Sequence, residues 1–259
     1  GFATDFITGV LKPNLTEIAE KKVKILTNAG GVNPAACGAA ARALIAEAGL
    51  DLKVAVISGD DLLDRAADFT GAKDMFAQTD CPPADGLASI NAYLGGFPVA
   101  AALDAGADIV ITGRSVDSAV TLGACIHAFG WQAQDLNKLA AGSLAGHIIE
   151  CGPQASGGNF TDWQLSGDIA DIGYPFIDID GEGVFTVSKP DGTSGVVNVG
   201  TVSEQMLYEI GDPQAYLLPD VTCDFSQVTI EQAGDNQVRV ANAKGTTPPE
   251  SYKVCATYA

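Results

Sequence analysis

Basic residues are scarce in this chain, and their scarcity excludes more than any motif does. Only 14 Lys and Arg stand against 32 Asp and Glu in 259 residues, a net charge of −18. Such a surface repels phosphate backbones and anionic lipid, so neither nucleic acid nor a membrane is an expected partner. An anionic ligand would need a locally positive pocket against this field. Histidine is scarcer still: His127 and His147 are the only two. No apolar run approaches the roughly 18 residues that a membrane-spanning helix needs. The six cysteines (Cys37, Cys81, Cys125, Cys151, Cys223, Cys255) contain no Cys-x-x-C. No zinc framework is indicated, and a chain with its own core does not need disulfides, which makes a reducing cytoplasm the expected setting. A P-loop and a dinucleotide fingerprint are also missing.

What remains is globular. Hydrophobic residues make up 47% and charged ones 18%, which excludes a disordered tail and a coiled coil. The length allows one large domain or two modest ones. The opening Phe2-Ala3-Thr4-Asp5-Phe6 reads as the interior of a fold, so an N-terminal piece is expected to precede it.

Val23–Thr27 reads as a buried strand running into Asn28-Ala29-Gly30-Gly31. Asn33 before Pro34 is a helix cap followed by proline in the first turn, and Gly49 ends that helix. Leu52–Ile57 is a second strand, completing the strand–helix–strand unit of a parallel sheet. The pattern recurs in the helix Pro98–Ala105, the strand Asp108–Thr112 and helices reaching Phe129 and spanning Leu136–Glu150. Thr70–Asp85 reads as a surface excursion with the reach of a lid. After Gly152, short strands at Val184–Val187, Val196–Val199, Gln227–Ile230 and Val238–Val240 alternate with turns, and a helix capped by Ser203 runs to Ile210. The expected fold is α/β: a mostly parallel sheet flanked by helices in the first two-thirds, then a smaller β-rich α+β portion. The expected division is an α/β ligand-binding domain over residues 1–168 and a β-rich portion over 169–259 that continues past the chain end.

Three loops carry the candidate chemistry. The turn at Asn28, Gly30 and Gly31 lies between a strand and a helix, where backbone amides suit a phosphate or carboxylate, although an ordinary βα turn needs the same glycines. In Gly113-Arg114-Ser115-Val116-Asp117, Arg114 offers a planar fork to an anion. Asp117 is suited to capping the next helix, positioning Arg114 or binding a metal; a plain Arg114–Asp117 surface pair is the alternative. His147 and Glu150, three apart, share a helix face. A carboxylate that orients an imidazole suits general acid–base work. The pair equally suits two metal ligands awaiting a third, for which Asp162 or Asn159 is placed, or a structural histidine at a helix end. Backbone amides at Gly157 and Gly158 suit an oxyanion hole. Cys151 is more often an inert buried thiol than a nucleophile. His127 and Trp131 read as structural.

The blocks TNAGGVNP (27–34), ADIVITGRSVDSA (107–119) and GHIIECGPQASGGNFTDW (146–163) resemble the acyclic terpene utilisation family of the AtuA type. Further matches are IGYPF (172–176), QMLYEIGDPQAYLLPD (205–220) and SYKVCATYA (251–259), so the resemblance runs through almost the whole chain. It implies a part in the breakdown of citronellol- and geraniol-type terpenoids through branched acyl-CoA intermediates, alongside biotin carboxylases, hydratases and dehydrogenases. Members carry an additional glycine-rich N-terminal segment and continue past the point where this chain stops. No catalytic residue transfers with the resemblance.

Together these readings give an expected cytoplasmic enzyme of branched or terpenoid acyl-CoA metabolism. Arg114, Ser115, Asp117 and the Asn28/Gly30/Gly31 and Gly113 turns would hold an anionic part of the ligand. His147, assisted by Glu150, would move a proton, with Asn159, Asp162 and the Gly157–Gly158 amides around the reacting group. Lyase or hydratase chemistry fits proton transfer beside a thioester. No metal is assigned, and coenzyme A enters only as part of the substrate. A homo-oligomer or a pathway-enzyme partner is expected. The competing readings are a non-catalytic acyl-CoA-binding or scaffold subunit, and a metal-dependent hydrolase built on His147, Glu150 and Asp162.

Overall fold

The computed structural model describes residues 1–258. The chain forms two compact units: Gly1–Val116 together with the stretch from Ser251 onward, and Asp117–Glu250. The expected division at residue 168 falls inside the second unit.

The first unit opens with a π-helical stretch, Phe6–Leu11, continuing into α1 (Lys12–Lys21). β1 (Ile25–Thr27) leads to Asn33, whose side chain accepts from the Ala36 amide at 3.1 Å and caps α2 (Pro34–Glu47). β2 (Val54–Val56), β3 (Leu87–Ala92), α3 (Phe97–Asp104) and β4 (Ile109–Ile111) follow. The parallel sheet has the order β1-β4-β2, with Ile25 and Val54 both opposite Ile109. Alternation along β4 determines which helices cover which face. Ile109 and Ile111 pack with Phe6, Leu11, Leu15, Ile18, Cys37, Ala41 and Ile45 on one side. Val110 packs with Val99, Leu103 and Ala107 on the other. All three β4 residues are fully buried, each contributing about 1.5–3 kcal/mol of hydrophobic transfer energy.

One strand pairing of this unit is absent from the expected pattern. β3 pairs antiparallel with Val254–Tyr258, placing Cys255 opposite Asn91. The excursion after β2 contains a 3-10 turn (Leu63–Phe69) and a small loop closed by the Lys73–Asp80 ion pair, with Met75 and Phe76 exposed at its tip.

In the second unit, α4 (Ala119–Phe129) and α5 (Leu136–Ile149) pack through glycines. A Cβ on Gly142 would lie 2.9 Å from Leu122 and Trp131, and one on Gly146 would lie 2.8 Å from the Ser118 backbone. Leu139 through Ile148 are all buried, so α5 is the core helix of this unit and is apolar nearly all round. Trp131 anchors the end of α4, donating from Nε1 to the Gly181 carbonyl at 3.0 Å.

The remaining strands are β5 (Phe176–Ile179), β6 (Phe185–Ser188), β7 (Tyr216–Leu217), β8 (Thr222–Asp224), β9 (Thr229–Gly234), β10 (Gln237–Ala241) and β11 (Lys244–Thr246). They form two antiparallel sheets, β5-β6-β10-β9 and β11-β8-β7. The mixed α/β class with a parallel sheet followed by a β-rich portion is therefore the fold of the chain.

Two local expectations are corrected here. Val196–Val199 is not a strand: Asn198 caps α6 (Val199–Leu207) through a reciprocal pair, Thr201 N–H to Asn198 Oδ1 at 2.9 Å and Asn198 N–H to Thr201 Oγ1 at 3.0 Å. Ser203 consequently lies inside the helix, and the helix ends at Leu207, before the expected Ile210. A true capping box outweighs the β propensity of the flanking valines. Among the described residues, no helix is long and apolar enough to cross a membrane.

Candidate functional site

In the first unit, the carboxyl ends of the parallel strands gather the expected anion-binding groups. A Cβ on Gly30 would strike the Thr112 carbonyl, so the Asn28–Asn33 turn abuts the end of β4. The amides of that turn are largely occupied within the unit. Gly31 donates to Asn28 O at 3.1 Å, Val32 to Gly1 O at 3.1 Å, Asn33 to Gly30 O at 2.8 Å and Ala29 to Thr27 Oγ1 at 3.0 Å. The Gly31 amide is thus engaged within a turn that folds on itself.

The next loop holds a carboxylate of its own. Asp60, 2% exposed, accepts from the Arg114 amide at 2.8 Å and from Asn91 Nδ2 at 3.1 Å through Oδ2. Gly113 is a glycine because Asp60 lies where its Cβ would be, with Cγ and Oδ1 2.7 Å away. Ser115 is buried, 3.3 Å from the Thr112 hydroxyl. The guanidinium of Arg114 donates to the Tyr93 hydroxyl at 2.7 Å and stands 5.0 Å from the ring centroid. Lys253 Nζ stands 5.5 Å from the same centroid. Two cations thus converge on one aromatic ring at the end of a parallel sheet, in a chain carrying −18 overall.

The second unit holds the imidazole. His147 Nδ1 is 2.8 Å from Glu150 Oε1, one helical turn apart at the end of α5. An ionised carboxylate only accepts, so facing one, Nδ1 carries a proton, and in the neutral ring Nε2 is then the nitrogen with the lone pair. His147 is 1% exposed, and its Nε2 has no hydrogen-bond partner among the described residues. The Tyr216 ring lies 6.1 Å from the imidazole, tilted by 53°. Gln205 Nε2 donates to the His147 carbonyl at 2.8 Å. Burial pushes the Glu150 carboxyl up from its ordinary value; His147 pulls it back, and the charges of Asp117 and Glu209 push it further up. The Tyr216 phenol is raised to about 12, first by burial and then by Glu150, Cys223, Asp117 and Glu209. It therefore keeps its proton at neutral pH.

Residues 1–259 match the acyclic terpene utilisation family protein AtuA over the whole length. The chain belongs to that family. The family's name connects it with acyclic terpene utilisation. No curated protein and no solved structure matches the chain.

Within this member of the family, the remaining expected site residues are distributed as follows. Asp117 is exposed beside Ser118, the N-cap position of α4, and its charge acts on Glu150. Asn159 lines a cavity of about 300 Å³ shared with Gln205. Asp162 is exposed at the start of a 3-10 turn. Among the described residues no group of three His, Cys, Asp or Glu side chains has metal-holding geometry, so Asp162 does not complete a set with His147 and Glu150. The Gly157 amide donates to Gln154 O at 3.0 Å and the Gly158 amide to Pro153 O at 2.9 Å. Those two donors close a turn of their own. The Cys151 thiol is pushed up by burial, eased by Gln205, and raised again by Glu150, Glu209 and Asp117. A thiol among carboxylates is a poor nucleophile.

Sequence reasoning missed Asp60, Asn91, Tyr93 and Lys253 in the first unit, and Gln205, Tyr216 and Glu209 in the second. The parallel order around β4 is the signal that finds Asp60, because it brings the end of β2 beside Gly113. The others come from β3 and its partner strand, and from the segment spanning α6 to β7.

Proposed function

We propose that this family member is a cytoplasmic catabolic enzyme acting on a branched or acyclic-terpenoid acyl-CoA, or a related carboxylate, by lyase- or hydratase-like proton transfer. His147 is the general base, and Glu150 holds its Nδ1 proton. The observation that carries this reading is the 2.8 Å His147–Glu150 contact with Nε2 left buried and unpartnered. An oriented imidazole with one free lone pair in a dry setting is equipped to take a proton from carbon or oxygen. In the first unit, taken by itself, Arg114 and Lys253 are grouped on Tyr93, positive charge of the kind that suits an anionic group.

The test is turnover of an acyl-CoA panel read by mass spectrometry, with His147→Ala and Glu150→Gln beside the parent protein. Loss of at least about a hundredfold in His147→Ala supports the assignment, because general acid–base groups contribute about 10²–10⁴-fold. Unchanged turnover rejects it.

A second reading rests on the 1% exposure of His147. A buried imidazole held through Nδ1 by its own helix also suits a non-catalytic acyl-CoA-binding or scaffold subunit of a terpenoid carboxylase pathway. A pull-down from cells grown on terpenoid separates the two readings. A stable assembly with a carboxylase, retained in His147→Ala, favours the scaffold.

A further inference from the structure

We infer that the cavity beside α6 is a binding site for a small neutral ligand with an apolar body and a hydroxyl or amide N–H donor. It stands apart from the proton-transfer reading and does not depend on His147 being catalytic. The cavity, about 300 Å³, is lined by Gln154, Asn159, Phe160, Glu204, Gln205 and Leu207, with Thr201 and Tyr208 completing it. That volume is at the small end of ligand pockets, which run about 300–1,000 Å³.

Gln205 decides the polarity of the ligand. It is 0% exposed, and its Nε2 donates to the His147 carbonyl at 2.8 Å. A carbonyl only accepts, so the amide cannot be turned round without placing two oxygens against each other. The other end, Oε1, is therefore an acceptor, and it is buried with no hydrogen-bond partner among the described residues. Buried polar atoms are nearly always paired, so an unpaired acceptor on a residue that lines a cavity calls for a donor. The hydroxyl of Thr201, the other buried polar residue of the lining, is already engaged with Asn198.

Charge decides the rest. The lining holds no Lys, Arg or His and includes Glu204, whose Oε2 accepts from the Thr161 amide at 3.0 Å. A carboxylate or phosphate entering here would meet like charge with no cation to offset it. Phe160, packed against Gly200, and Leu207 provide apolar walls for a hydrocarbon body. The cavity thus selects against the anionic groups that the Arg114–Lys253 cluster of the first unit suits.

The experiment uses the purified chain at neutral pH with hexan-1-ol, hexanamide and hexanoate, which share one body and differ in the head group. Binding is read by saturation-transfer NMR and calorimetric titration. The alcohol or the amide should bind, the tighter of the two naming the donor, and hexanoate should bind at least about tenfold more weakly. Gln205→Met should lower affinity for the preferred probe by about tenfold, the loss of one directional hydrogen bond. Leu207 is 61% exposed, so Leu207→Lys leaves the core intact and adds a cation to the lining; it should shift the preference toward hexanoate. Equal binding of hexanoate by the parent protein, saturation by none of the probes, or a folded Gln205→Met with unchanged affinity overturns the proposal. Should Gln205→Met fail to fold by circular dichroism, an unmoved preference in Leu207→Lys overturns it instead.

Discussion

Gly113→Ala isolates the contact on which the end of β4 is built. The backbone at Gly113 is not in the left-handed region, so alanine meets no conformational penalty there. The added methyl would lie 2.7 Å from Asp60 Cγ and Oδ1 and closer still to Oδ2. Asp60 cannot simply swing away, because it is 2% exposed and its carboxylate is tied to the Arg114 amide and Asn91. Overpacking costs about 1–3 kcal/mol. Weakened hydrogen bonds to a charged acceptor add about 1.5–3 kcal/mol. The stiffer unfolded chain returns about 0.4–1 kcal/mol. The net loss is about 2–5 kcal/mol, which lowers the melting temperature by on the order of 10 °C in a unit of this size. Scanning calorimetry measures it, with Gly86→Ala as the control, since nothing lies within 4 Å of a Cβ there. The control should stay within about 0.5 kcal/mol of the parent protein. If the two variants melt together, Asp60 is not held as described, and the reasoning about the Arg114 loop fails with it.

Two further outcomes follow from the second unit. The folded-state pKa of Glu150 lies above its ordinary 4.5, so its contribution is fully present below that value and is lost as pH rises through the folded pKa. Glu150→Gln removes this loss. Its stability relative to the parent protein, from urea titrations, should therefore rise between acid and neutral pH; a flat difference refutes the burial argument. Gly146→Ala places a methyl 2.8 Å from the Ser118 backbone and should cost about 1–3 kcal/mol by prying α4 from α5, with unchanged stability refuting that packing.

The parallel sheet was legible because β1, β2 and β4 are short apolar runs ending in glycine turns, and Asn33-Pro34 marks the start of α2 without ambiguity. The His147–Glu150 pair was legible because spacing alone puts three-apart residues on one helix face, and the contact is 2.8 Å. What local pattern could not supply was partnership across long separations. Whether the Gly157 and Gly158 amides are free depends on the carbonyls of Gln154 and Pro153, which only the folded turn brings near. Asp60 and Gly113 are neighbours only because β2 and β4 pair. Val196–Val199 reads as a strand by propensity and is overridden by the Asn198–Thr201 capping pair.

The pairing of β3 with Val254–Tyr258 sets synthesis against assembly. Everything between Val116 and Ser251 belongs to the other unit, so the ribosome must deliver a complete second unit before the first can close. Until then β3 presents a bare hydrogen-bonding edge to solvent, the kind of template on which nascent chains stick to one another. A translation stall or nonsense codon near residue 250 would therefore do its damage some 160 residues upstream, in a segment made long before.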